Sequence, residues 1–197
     1  IQTYGIDNEN NLLAKDITIT NSYVDFKVKL NGKNERIKTD IPGRFSVYNS
    51  LAAISVALRL GCSTENIKTA LENVKVPGRS ELVDNKLGLT IMVDYAHSPE
   101  SLENILQAVK SYTRGKVISV FGCEEIVKQI EEGIKKTKAK YECIVDRTEA
   151  IKKAIQIADK TDIIVLAGKG HETYQEINHE KHHYDEREII KEIIDNM

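Results

Sequence analysis

Residues 89–100 decide the fold, and they read Leu89-Thr90-Ile91-Met92-Val93-Asp94-Tyr95-Ala96-His97-Ser98-Pro99-Glu100. The apolar run 91–93 predicts a short strand that is buried on both faces. Ser98 followed by Pro99 is typical of a helix start, with the serine as N-cap and the proline at the first helical position. Asp94 and His97 therefore lie between a buried strand and a helix, where ligands bind in open α/β sheets. The alternative is that Asp94 only caps a turn and His97 is a solvated loop residue.

Composition narrows the class of protein. The 197 residues carry a formal charge of −2 with acids and bases interspersed, so no basic face predicts a nucleic-acid partner. No apolar run approaches the length of a membrane span, and the first residues lack the pattern of a signal peptide. The three cysteines share no metal-like spacing, which indicates thiols in a reducing compartment: Cys62, Cys123 and Cys143. We therefore expect a soluble, cytoplasmic α/β protein.

The first part of the chain predicts a β-meander followed by two helices. Residues 16–40 alternate apolar and polar side chains, and Asn31-Gly32 is a strong signal for a two-residue hairpin turn. Apolar residues at helical spacing then predict one helix over 44–60 and a second that Ser63 caps. Pro77-Gly78 breaks the pattern, so we expect a domain boundary between residues 1–77 and 78–197.

The second part alternates strands with helices, which predicts a Rossmann-like, mostly parallel sheet with helices on both faces. The predicted strands cover residues 82–83, 91–93, 117–121, 141–145 and 163–166. The predicted helices cover residues 102–109, 126–134, 150–158 and 186–194, and a short hairpin is expected within 174–184. The predicted fold class is therefore α/β.

Three predicted strands end in loops that carry polar groups: 94–98, 122–123 and 168–172. Because parallel strands bring their carboxyl ends to one edge of a sheet, these loops can converge. The loop Gly168-Lys169-Gly170-His171-Glu172 combines two glycines with a cation, a titratable ring and a carboxylate. Neither a Walker phosphate loop nor a Gly-x-Gly-x-x-Gly fingerprint is present, which weighs against a dinucleotide-dependent oxidoreductase. The alternative for this loop is a glycine turn with solvated charges.

Two isolated residues can contact a nucleotide. Asn49, near a helix start, offers an amide, and Arg79, after Pro77-Gly78, offers a guanidinium to phosphate groups. Taken singly, a residue of either kind is more often an ordinary surface or capping residue. The histidines of the predicted hairpin lack the companion ligands that zinc requires, so no metal site is predicted at His179, His182 and His183.

Four motifs, in chain order, resemble the signatures of the Mur ligases: Gly78-Arg79-Ser80-Glu81, Val93-Asp94-Tyr95-Ala96-His97-Ser98-Pro99, Val120-Phe121-Gly122-Cys123 and Ala167-Gly168-Lys169-Gly170-His171-Glu172. The segment 42–53 resembles the adenine-side helix of this family, and segments 146–150 and 184–187 resemble its later segments. The resemblance spans nearly the whole chain. It is closest to the branch that adds the third residue of the muramoyl peptide, the UDP-N-acetylmuramoyl-tripeptide synthetases (MurE type).

The resemblance implies an ATP-dependent ligase of peptidoglycan synthesis. Such an enzyme phosphorylates a carboxylate of UDP-N-acetylmuramoyl-dipeptide and lets the amine of a diamino acid attack the acyl phosphate. By position, the resemblance implies that Asn49 meets the adenine, Asp94 the ribose and Arg79 the nucleotide phosphates. It implies that His97 lines the same pocket.

The resemblance also implies a binding loop for the diamino acid. Its residues follow one another closely in the chain: Gly168, Lys169, His171 and Glu172. Glu172 is expected to pair with an ammonium group of the amino acid. The resemblance assigns no catalytic residue and no metal ligand to this chain.

The sequence departs from the family pattern in three places. The N-terminal UDP-binding domain is missing, and so is the start of the central ATP-binding domain, where the phosphate loop and the Mg²⁺ ligands are expected. After Cys123, the family continues with the motif that selects the amino acid, but here the chain runs directly into Glu124. Either a segment is deleted there, or the sequence contains only the ordered residues of a longer chain. We therefore expect residues 1–77 to be the end of the ATP-binding domain and residues 78–197 to be the C-terminal domain.

Two hypotheses follow from these departures. The first is a distal fragment of a Mur ligase that is inactive alone, with lysine, diaminopimelate and other diamino acids left open as the substrate. The second is a catalytically silent module that binds an amino acid or a nucleotide.

Overall fold

A computed structural model gives the fold of the protein for residues 2–7, 11–122, 140–177 and 179–197. The chain separates into two units, Ile1–Lys75 and Val76–Met197, and each has its own hydrophobic core. The units are defined by packing, so the assignment of residues 1–77 and 78–197 to two enzyme domains stays a prediction. Among the residues described, no helix is both long enough and apolar enough to cross a membrane.

Short strands build the sheets of the first unit. Their bounds are Tyr4–Gly5 (β1), Leu12–Leu13 (β2), Lys15–Ile19 (β3), Val24–Leu30 (β4) and Lys33–Thr39 (β5). β1 and β2 pair in parallel, whereas β3, β4 and β5 form an antiparallel meander in that order. Asn31 and Gly32 have φ values of 48° and 83°, as a two-residue hairpin turn requires. The predicted meander is confirmed.

Two helices complete the first unit, Arg44–Arg59 (α1) and Thr64–Asn73 (α2). The Asn66 N–H donates to Ser63 Oγ at 3.2 Å, so the predicted N-cap is present. The core unites one face of β4 with the inner faces of both helices: Val24, Phe26, Val28, Leu30, Val47, Leu51, Ile54 and Ile67. The period of two in the strand and the helical spacing in α1 thus direct the same side of each element to the core.

The second unit contains a four-stranded sheet with the order β6-β7-β9-β8. Its strands are Glu81–Leu82 (β6), Thr90–Asp94 (β7), Val117–Val120 (β8) and Ile163–Ala167 (β9). β7 and β8 both run parallel to β9, and β6 is antiparallel to β7 at one edge. Every residue of β9 is buried, as expected for a central strand covered on both faces. The predicted mostly parallel sheet is confirmed.

Three helices and a hairpin belong to the same unit. The helices are Pro99–Tyr112 (α3), Arg147–Ile157 (α4) and Glu186–Asp195 (α5), and the hairpin strands are Tyr174–Ile177 (β10) and Glu180–His183 (β11). α4 and α5 pack on the sheet face that carries Ile91, Val93, Ile164 and Leu166. α3 contacts β8 and β9, and alternate strand residues such as Met92 and Val165 are also fully buried. Both faces of the sheet are therefore covered.

The prediction of a strand over 141–145 is wrong. These residues form an irregular segment in which Tyr141 is 49% exposed and Val145 is fully exposed. An apolar alternation forms a strand only where a neighbouring strand and a core receive it. Here the next residue, Asp146, already caps α4 by accepting a hydrogen bond from the Glu149 N–H at 2.9 Å. The predicted helix over 126–134 and Cys123 lie outside the described residues.

Candidate functional site

Three strand-end loops converge at one edge of the sheet. Asp94 pairs with Ala167, and Val120 pairs with Leu166, so β7, β8 and β9 end side by side. A pocket of about 190 Å³ opens there, and all three loops line it: Ala96, His97, Ser98, Leu102, Phe121, Gly122, Ala167, Gly168, Lys169 and Glu172. Sites for drug-sized ligands enclose about 300–1,000 Å³. The pocket therefore suits a ligand of amino-acid size.

Asp94, at the end of β7, organises the backbone next to this pocket. Its side chain is buried, and its Oδ2 accepts from the Ser80 N–H at 2.8 Å while Oδ1 accepts from the Ala96 N–H at 2.8 Å. Ser80 has a φ of 46°, a strained conformation for a residue with a Cβ, and the carboxylate holds it there. Oδ2 also accepts from the Ser80 hydroxyl at 3.3 Å, so Oδ1 is the oxygen with a second lone pair to offer. The predicted contact of Asp94 with a ribose stays a prediction.

Tyr95 gathers three of the predicted site residues around its ring. The Arg79 guanidinium carbon lies 4.8 Å from the ring centroid, in cation–π geometry. The ring centroids of His97 and His171 lie 4.7 Å and 5.3 Å from that of Tyr95. Arg79 and His97, both predicted for the nucleotide, thus contact the same ring. His171, predicted for the diamino acid, contacts this ring and is not among the lining residues of the pocket.

The loop after β9 presents a cation and a carboxylate to the pocket. Lys169 Nζ lies 3.5 Å from Glu172 Oε2 and donates to the Tyr174 carbonyl oxygen. The two side chains are 14% and 28% exposed, so their charges are only partly screened by solvent. Lys169 and Glu172 can therefore bind the carboxylate and the ammonium group of an amino acid.

Asn49 belongs to the first unit, where it is exposed on α1, and its contact with adenine stays a prediction. Among the described residues, no group of three or more His, Cys, Asp or Glu side chains could hold a metal ion. The expectation that Mg²⁺ ligands lie outside this chain stays a prediction.

A buried ion pair is bonded to the end of β9, next to the pocket. Hydrophobic periodicity in the sequence does not predict this ion pair. Arg147 Nε lies 2.6 Å from Glu186 Oε1, and Arg147 Nη2 donates to the Ala167 carbonyl oxygen at 2.9 Å. The side chains of Arg147 and Glu186 are 11% and 1% exposed. The pair joins the starts of α4 and α5 to the end of β9. Resemblance had pointed to both segments but not to this pairing.

A second ion-pair network surrounds Arg187. Its guanidinium contacts Asp185 and Glu81, and the hydrogen bond with Asp185 raises the pKa of Arg187. Burial raises the pKa of Asp185, but the hydrogen bonds from Arg187 outweigh it and hold that pKa below its usual value. Glu81 and Arg187 lie far apart in the sequence, so no local pattern could have predicted their contact.

Two family models match the chain. Residues 1–57 match the Mur ligase middle domain, and residues 78–126 match the glutamate ligase domain of Mur ligases. Together the matched residues make up more than half of the chain.

Two curated relatives align with nearly all of this chain. One is the UDP-N-acetylmuramoyl-L-alanyl-D-glutamate–2,6-diaminopimelate ligase of Caldanaerobacter subterraneus subsp. tengcongensis, 42% identical over 229 residues that cover 98% of this chain and 48% of the relative. The enzyme of the same name from Clostridioides difficile is 36% identical over 231 residues, which cover 99% of this chain and 48% of the relative. This chain thus spans about half the length of these relatives.

A solved structure of a ligase of that name superposes with a TM-score of 0.72 at 25% identity, covering 99% of this chain and 47% of that one. The aligned stretch of 229 residues in the first relative exceeds the 197 residues of this chain. The alignment therefore contains positions for which this chain has no residue.

Proposed function

Since the chain belongs to the Mur ligase family, we propose that it forms the distal part of an ATP-dependent ligase. This enzyme adds a diamino acid to UDP-N-acetylmuramoyl-dipeptide in the synthesis of peptidoglycan. The names of the relatives support 2,6-diaminopimelate as the amino acid. We place this enzyme in the cytoplasm, where ATP and UDP-linked precursors are available together.

The convergence of three loops on one small pocket supports this proposal most directly. The pocket is bounded by the Lys169–Glu172 pair on the loop after β9 and by His97 on the loop after β7. Diaminopimelate carries two ammonium and two carboxylate groups. Glu172 receives one ammonium group, and Lys169 receives one carboxylate group. Such charge-assisted contacts fix the orientation of the ligand as well as its affinity.

The reaction follows from the groups involved. The γ-phosphoryl group of ATP moves to a carboxylate of the dipeptide, which gives an acyl phosphate and ADP. An uncharged amine of the diamino acid then attacks the acyl carbon, and inorganic phosphate leaves as the amide forms. The role of Glu172 and Lys169 is to hold the amino acid so that its amine faces the acyl phosphate, which removes the entropic cost of a free encounter.

The nucleotide side of the site uses other residues. In the second unit, Arg79, held over the Tyr95 ring, binds nucleotide phosphates, Asp94 binds the ribose and His97 lines the same pocket. The resemblance assigns the adenine to Asn49, which belongs to the first unit. We expect the ligands of the Mg²⁺ ion that accompanies ATP to lie in the part of the enzyme that this chain lacks.

A kinetic comparison of two substitutions tests the proposal. In the full-length ligase, Glu172→Gln is expected to raise the KM for 2,6-diaminopimelate about 10–100-fold, because a charge-assisted hydrogen bond is lost. The KM for ATP should stay within about twofold. Glu176→Gln, on the neighbouring strand β10, is the matched control, because Glu176 is exposed and contacts only the hairpin residue His179 among the ion pairs described.

The assay measures phosphate release and the mass of the product. Release that depends on both UDP-N-acetylmuramoyl-dipeptide and the diamino acid supports the proposal. Binding of nucleotide or amino acid without turnover, under the same conditions, would support the catalytically silent module instead.

A further inference from the structure

Two glycine backbones touch where the proposed nucleotide turn meets the proposed amino-acid loop. Gly78 and Gly170 have φ values of 68° and 55°, which favour glycine. A Cβ on Gly78 would overlap the backbone of Gly170 and His171, and a Cβ on Gly170 would lie 2.8 Å from the Gly78 carbonyl oxygen. The turn that carries Arg79 and the loop that carries Glu172 are therefore in direct backbone contact.

Arg187 bonds to both sides of this contact. Its Nη1 donates to the Gly170 carbonyl oxygen at 3.3 Å and to Glu81 Oε2 at 3.2 Å. The same Glu81 oxygen accepts from the Gly78 N–H at 2.6 Å. One guanidinium and one carboxylate thus connect the two glycine segments.

The Arg187 guanidinium is also held in place by Asp185. Arg187 Nε lies 2.8 Å from Asp185 Oδ1, and Nη2 donates to Asp185 Oδ2 at 2.9 Å. Asp185 is the N-cap of α5, so Arg187 is anchored to a regular element, and its side chain is only 24% exposed. A planar guanidinium group can bond to Asp185 along one edge and to Glu81 and Gly170 along the other, whereas a lysine ammonium lacks that geometry.

We propose that Arg187 and Glu81 form a loop clamp that sets the distance between the nucleotide-binding turn and the amino-acid-binding loop of the ligase. This inference rests on the proposed function. Neither residue lines the pocket, so both are positioning residues that act through Arg79 and Glu172. The clamp makes the placement of the amine depend on the placement of the nucleotide phosphates.

A purely structural ion pair has a different kinetic effect from a clamp. Loss of a structural contact lowers the fraction of folded enzyme, which reduces kcat and leaves each KM unchanged. Loss of the clamp displaces both loops in the folded enzyme, which raises the KM for the ligands of those loops. The proposed function assigns no clamp or loop residue to the UDP-linked dipeptide, so the KM for the dipeptide should not change.

The test compares variants of the full-length ligase. Arg187→Gln is expected to raise the KM for the diamino acid and for ATP by about tenfold, since small displacements of a site are costly. The KM for the dipeptide should stay within about twofold. Glu81→Leu should raise the same two KM values. Glu81→Gln should keep both KM values close to those of the wild type, because its amide oxygen still accepts from the Gly78 N–H. Lys86→Gln is the control: Lys86 pairs with Asp195 at the other end of α5, 3.2 Å away and exposed.

The outcomes separate the clamp from the proposed function. A wild-type enzyme without ligase activity would overturn the proposed function and the clamp with it. An active wild type whose Arg187→Gln and Glu81→Leu variants lose only kcat, or behave normally, would overturn the clamp alone. Should Arg187→Gln fail to fold, Arg187→Lys is the second variant, and the clamp predicts an intermediate rise of the same two KM values.

Discussion

At the scale of single residues, a backbone contact explains why position 78 is a glycine: a Cβ there would overlap a neighbouring loop. We expect Gly78→Ala to lower the free energy of unfolding by about 2–5 kcal/mol, from left-handed strain plus overlap with Gly170 and His171. Gly88→Ala is the matched control, because Gly88 has a φ of 67° and open space around it. That control should lose only about 1–2 kcal/mol. Equal losses in chemical denaturation would mean that the overlap is absent.

Asp185 gives a prediction for pH dependence. Its pKa is lowered from 3.8 in the folded protein, so its charge stabilises the fold above that pH, and this contribution is lost as the pH falls through the folded-state pKa. We expect Asp185→Asn to cost about 1–2 kcal/mol near pH 7. The difference in Tm from wild type should shrink below about pH 4.

Asp195→Asn is the control for this pH series, because Asp195 lies at the other end of α5 in an exposed ion pair. Its Tm should stay close to that of wild type at every pH. A Tm difference for Asp185→Asn that persists unchanged to pH 3 would contradict the charge-based explanation.

At the scale of elements, the Arg147–Glu186 pair joins α4, α5 and the end of β9. Arg147→Met would leave the Glu186 carboxylate buried without its partner, and Glu186 Oε2 already has no hydrogen-bond partner among the residues that the structure describes. We expect a loss of about 3–5 kcal/mol in the free energy of unfolding. Lys152→Met, which removes an exposed pair on the same helix, should cost less than about 0.5 kcal/mol. Similar losses in the two variants would refute a structural role for the buried pair.

Elements with local signals were predictable from the sequence. The turn at Asn31-Gly32 needs two residues that accept positive φ, and the start of α3 needs Ser98 as its cap; both requirements are met by adjacent residues. The strand prediction for residues 141–145 was wrong because the apolar alternation is visible in the local sequence. A strand also needs a neighbouring strand to pair with, and no local pattern shows whether one is present. The contacts of Arg187 with Glu81 and Gly170 depend on the folded sheet, so the sequence carries no direct signal for them.

At the scale of the whole molecule, chain order and strand direction were enough to predict that three loops meet at one edge of the sheet. Parallel strands ending in Asp94, Val120 and Ala167 must deliver their loops together, and they do. The arrangement within the edge was not predictable. Asp94 lies next to the pocket with both oxygens bonded to backbone groups, and His171 turns to Tyr95, because close backbone approach at Gly78 and Gly170 fixes both loops.

The central claim is that the pocket at this edge binds the diamino acid, and a titration of the chain followed by amide NMR tests it most directly. Adding 2,6-diaminopimelate should shift the amide signals of Gly168, Lys169 and Glu172 in a saturable way and leave Gly32 and Gly61 of the first unit unchanged. Pimelate, which has the same carbon skeleton without amines, should shift them far less, since Glu172 would have no ammonium group to bind. Equal shifts with both compounds, or no shift in the loop after β9, would contradict the account.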